Sequence, residues 1–70
     1  MSYTEKQLFD FMDARRPVTV TSVSGNTYTG MCLTYSSVCN QEEYGVDEPS
    51  LEVQDTLLYL HEIKKIEYAD

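Results

Sequence analysis

Few side chains in this chain are suited to chemistry. Its 70 residues include one histidine, His61, and two cysteines, Cys32 and Cys39. A structural zinc site takes four ligands at short, regular spacing, and these three scattered residues do not supply one. A Cys32–Cys39 disulfide is conceivable. Both thiols lie among apolar residues, and the N-terminus carries no basic-then-apolar secretory leader. The reading therefore favours two buried free thiols in a cytoplasmic-type compartment. His61 has no Ser-His-Asp or Cys-His context, and the chain has no glycine-rich phosphate loop and no HExxH. The expectation is a protein that is not an enzyme and uses no cofactor or metal.

The ionic residues are unevenly spread. Glu42, Glu43, Asp47, Glu48, Glu52 and Asp55 fall between Gln41 and Asp55, with no lysine or arginine among them. Their spacing does not match an EF-hand loop, and a solvated acidic surface is the simpler account. With 12 acids against 5 bases the net charge is −7. That opposes indiscriminate nucleic-acid binding, because phosphates need clustered cations. The bases are Lys6, Arg15, Arg16, Lys64 and Lys65, so any basic site is narrow.

These residues need elements to position them. Ser2 with Glu5, or Thr4 with Gln7, has capping-box spacing. Leu8, Phe9 and Met12 then share a helical face, and Pro17 ends a helix of about residues 3–15. On this reading Arg15 and Arg16 sit in its last turn, where cations suit the carbonyl end. After Pro17 the period changes to two. Strands are expected from Val18, over Thr27–Tyr35 with a bend at Gly30, over Val38 to about Tyr44, over Thr56–Leu60, and over Ile63–Tyr68. Ser24-Gly25-Asn26 and Ser36-Ser37 read as turns, and 45–50 as a loop.

The fold class expected is mainly β. An N-terminal helix precedes a five-stranded, strongly bent antiparallel open barrel over about residues 17–68, in one domain spanning 1–70. No apolar run approaches a membrane span. A core of this size is marginal alone. The strand at 56–60 is apolar on both faces, with Leu58 and Leu60 on one and Leu57 and Tyr59 on the other. One face covers the domain's own core, and the second suggests a neighbouring subunit.

At this point the chain resembles the Sm-like family, which includes Sm-type proteins and the Hfq-type RNA chaperone. Gly25 and Gly30 have the spacing of the first motif's glycines, Tyr35 takes its aromatic position, and Asn40 falls ten past Gly30. Tyr59-Leu60-His61-Glu62-Ile63 resembles the Hfq pattern Tyr-Lys-His-Ala-Ile without its lysine. The resemblance implies a homo-oligomeric ring in which the fourth strand of one subunit pairs with the fifth of the next. It also implies single-stranded RNA bound at the pore. The candidate RNA-binding positions are Ser36, Val38, Asn40, His61, Lys64 and Lys65, and the candidate subunit-interface positions are Leu57, Tyr59, Ile63 and Lys65. The family has aspartate where Ser36 stands and a stacking side chain where Val38 stands. Valine offers no π-face, and a stacked base is worth about 1–3 kcal/mol. Two functions follow: RNA binding through an altered site, or a structural or protein-interaction ring without nucleic acid.

Overall fold

Helix formation begins at Thr4. The computed structural model describes residues 3–70, and its first element is α1, Glu5–Asp13. Thr4 Oγ1 accepts the Gln7 N–H at 3.2 Å, and Gln7 Oε1 accepts the Thr4 N–H at 2.8 Å. This is the second of the two capping pairs read from the sequence. The first depends on Ser2, which lies outside the described residues. The helix is shorter than expected. Arg15 takes a φ of 55°, which breaks the helical path, so Arg15 and Arg16 stand beyond the last turn rather than in it.

The rest is mainly β. In chain order come β1 (Val18–Ser22), β2 (Thr27–Gly30), β3 (Cys32–Tyr35), α2 (Ser37–Tyr44), β4 (Ser50–Val53) and β5 (Thr56–Tyr59). A 3-10 turn over Leu60–Glu62 leads into β6 (Ile63–Tyr68). The strands form two three-stranded antiparallel sheets, β2-β1-β6 and β3-β4-β5. Gly30 ends β2 with a φ of 154°. L side chains rarely adopt that conformation, so glycine permits the change of direction into β3.

Three expectations are corrected here. Residues 38–44 are helix, not strand. Ser36 Oγ accepts the Cys39 N–H at 3.0 Å, and Gly45 closes the other end at φ 71°. A serine N-cap and a left-handed glycine define a helix that the apolar pattern alone does not announce. Ser50–Val53 is a strand that the sequence reading left unassigned. Its hairpin to β5 turns through Gln54 and Asp55, both at positive φ, as a type I′ turn requires, but without the usual glycine. The expected second strand is split at Met31. There are thus six strands in two sheets, not one five-stranded open barrel.

The core joins both sheets to α1. Leu8, Val18, Val20, Cys32, Leu51, Val53, Leu58, Ile63 and Ile66 are buried. Leu8, at 0% exposure, is α1's one fully enclosed side chain, and truncating such a leucine costs about 2–5 kcal/mol. Ser22, polar where an apolar residue fits the β1 pattern, is buried but satisfied. Its Oγ lies 2.7 Å from Ser24 Oγ and accepts the Asn26 N–H.

Candidate functional site

Of the residues marked for RNA, Asn40 and His61 both engage Glu48. Ser36 caps α2. Val38 is 66% exposed with no aromatic ring of its own. Asn40 is buried, and its side-chain amide donates to the Glu48 carbonyl at 2.7 Å and to Ser50 Oγ at 3.0 Å. It thereby ties α2 to the loop ahead of β4, the bracing role open to a buried amide.

His61 lies on the 3-10 turn, where Glu48 holds it. Glu48 Oε2 is 2.9 Å from Nδ1, and the same carboxylate accepts the His61 backbone N–H. That hydrogen bond raises the imidazole pKa above its ordinary value, because the carboxylate favours the charged ring. Lys64 and Lys65 are both exposed. Strict alternation would turn them to opposite faces. The β1–β6 register shifts between Thr21 and Ser22, and this irregularity lets both reach solvent. Lys65 pairs with Glu67 at 3.0 Å.

The residues marked for the subunit interface divide. Leu58 faces the core while Leu57 is 37% exposed and Tyr59 half-buried. The second apolar face of β5 is therefore uncovered. Ile63 is 4% exposed and its side chain belongs to the chain's own core. Cys39 corrects the expectation of two buried thiols. Cys32 is buried and Cys39 exposed, both free, because α2 turns Cys39 outward. Burial pushes the Cys32 thiol pKa up.

What the sequence did not reveal is how the strand edges are treated. In an antiparallel sheet, alternate residues point both backbone groups away from their partner, and at an edge these stay unpaired. Four such positions here receive a side chain. The Tyr3 hydroxyl accepts the Ile66 N–H at 2.8 Å and lies 3.4 Å from the Ile66 carbonyl on β6. Met12 Sδ takes the Thr34 N–H of β3 at 3.3 Å. Gln54 Oε1 accepts the Thr29 N–H of β2 at 3.0 Å, and Glu62 Oε1 accepts the Tyr59 N–H of β5 at 3.1 Å. On β5 the same alternation points the Leu57 backbone outward. Leu57 makes no edge hydrogen bond among the described residues, and its side chain is exposed beside it.

The Tyr3, Met12 and Gln54 contacts span 63, 22 and 25 residues, so no local sequence signal announces them. Glu62, three residues from Tyr59, is the one cap within reach of local reading.

A scan against protein families, a search of curated proteins and a search of solved structures each find no match. No helix among the described residues is long and apolar enough to cross a membrane.

Proposed function

We propose that this chain is a protein-interaction subunit that accepts a strand at the outer edge of β5. A second copy is the partner that the Sm-like resemblance implies. The observation that carries the reading is Leu57, where an outward backbone and an exposed apolar side chain coincide on an outer strand. Strand addition at such a position supplies main-chain hydrogen bonds and side-chain burial together. β2 and β3 are separated by Met31 alone, so the chain passes from one sheet to the other through a single bend. Pairing β5 with β6 of a neighbour requires Tyr3 to leave Ile66.

Light scattering on the size-exclusion eluate tests this. The chain is expected to run above its 8.1 kDa monomer mass. Leu57→Lys is expected to return it to monomer with its circular dichroism unchanged, since an edge lysine discourages pairing. A wild-type monomer at high concentration, or unaltered oligomers in Leu57→Lys, overturns the proposal. Because edge pairing joins acidic chains through backbone and apolar contacts, it should strengthen as salt rises.

A second reading, single-stranded RNA along the 3-10 turn and β6, is favoured by the exposure of His61, Lys64 and Lys65 on consecutive elements. Its test is anisotropy of labelled oligo-U at low salt and at about 0.2 M, where phosphate contacts weaken. Absence of binding at both salts removes this reading.

A further inference from the structure

The outer face of the β3-β4-β5 sheet carries an unusual row. The strand registers place Leu33, Glu52 and Leu57 side by side across the three strands. Leu33 is 54% exposed and Leu57 37%, so a carboxylate stands between two uncovered leucines. α2 lies over one end of this face and leaves a cleft of about 490 Å³, lined among others by Tyr35, Tyr44, Glu43, Glu52, Asp55 and Leu57. Tyr35 Oη donates to Glu52 Oε1 at 3.0 Å and holds that carboxylate in place. The Tyr44 side chain is largely uncovered.

Two facts select the occupant. Residues 17–63 hold seven acids and no lysine or arginine, so this stretch carries the whole net charge of −7. Among the described residues, no three His, Cys, Asp or Glu side chains converge to hold a metal ion. An arginine side chain fits the lining, because its planar guanidinium stacks on tyrosine rings and forks onto carboxylates. A second copy is a poor source. Of its five bases, Lys6 pairs with Asp10, Lys65 with Glu67, and Arg16 with Asp70 while lying over the Tyr68 ring, which leaves Arg15 and Lys64. Another copy also brings its own −7 against the same acidic face.

We propose that this outer face docks a short apolar segment of a different protein, and that an arginine of that segment enters the cleft beside Tyr35 and Tyr44. The leucines flanking Glu52 cover the apolar residues, and the carboxylates of Glu43, Glu52 and Asp55 neutralise the guanidinium. This contact uses the sheet face and not the backbone edge of β5, and it shares the Leu57 side chain with the edge pairing proposed above. It should weaken as salt rises, the reverse of edge pairing.

The test uses the full chain and two blocked peptides, acetyl-Leu-Val-Arg-Val-Leu-amide and the same peptide with neutral citrulline for arginine. Titration followed by ¹H–¹⁵N NMR is expected to shift the amides of Leu33, Glu52, Leu57 and Tyr44. The arginine peptide should bind at least five-fold more tightly than the citrulline peptide. Glu52→Gln and Tyr44→Ala should each weaken it about five-fold, while Asp13→Asn, on α1, should not. Equal binding of the two peptides overturns the proposal, as do shifts spread evenly over the acidic surface. The same shifts produced by raising protein concentration alone, or by oligo-U, assign the face to a second copy or to RNA and equally overturn it.

Discussion

Tyr3→Phe removes one oxygen and tests the account of the strand edges. In the native chain that oxygen accepts the Ile66 N–H at 2.8 Å and lies 3.4 Å from the Ile66 carbonyl. The shorter bond contributes about 1 kcal/mol net, and the longer one, near the geometric limit, adds little. The ring itself should stay, because it packs edge-on against Phe11 with centroids 6.2 Å apart. Water can also reach an edge strand and replace part of what is lost. The expected cost is therefore about 1 kcal/mol, equivalent to a drop of about 4–8 °C in Tm for a domain of this size. With a urea m-value near the small-protein lower limit of about 1 kcal/mol/M, the midpoint should fall by about 1 M. The assay is urea and thermal unfolding by circular dichroism, with hydrogen exchange at the Ile66 amide. Exchange there should accelerate while the Val20 and Thr34 amides keep their rates. Unchanged Tm together with unchanged Ile66 protection refutes the reasoning. If β6 is the partner edge of β5, the same substitution should also shift the chain towards larger assemblies in light scattering, because the edge is then uncapped.

Two other expectations concern titration and reactivity. Glu48 raises the His61 pKa, so the contact stabilises the fold fully below the unfolded value of about 6.5 and loses that contribution as pH rises through the folded value. NMR titration of the imidazole should give a midpoint above about 6.5 that Glu48→Gln lowers. An unshifted midpoint removes the ion pair from the account. Cys39 is exposed and Cys32 buried, so one thiol should react promptly with a disulfide reagent in the folded chain and the second only in denaturant. Rapid reaction of both places Cys32 outside the core.

Local patterns were legible where neighbours in sequence are neighbours in space. Thr4 with Gln7 marks the start of α1, and Pro17 lies beyond its end. The alternation of Val18 and Val20 marks β1, and Gly30 marks the bend between the sheets. The apolar pattern of residues 56–60 divides as read, with Leu58 inward and Leu57 outward. Val38–Tyr44 misled because Val38, Cys39 and Tyr44 suit either element, and the helix is decided by Ser36 and Gly45 at its ends. Ser50–Val53 carries no local strand signal, because its turn, Gln54-Asp55, lacks the glycine that usually announces a hairpin.

Composition, capping and periodicity are local properties, and they mark a mainly β chain with an N-terminal helix and an acidic stretch over residues 42–55. What the candidate residues face depends on contacts between elements far apart in the chain. Asn40 is engaged with Glu48 and Ser50, and His61 with Glu48. Tyr3 and Met12 seal strand edges, while the Leu57 edge is left open. The physical reason is that a backbone group at a sheet edge, or a carboxylate on a sheet face, acquires its meaning from what folding brings beside it. In this chain most of those neighbours lie tens of residues away.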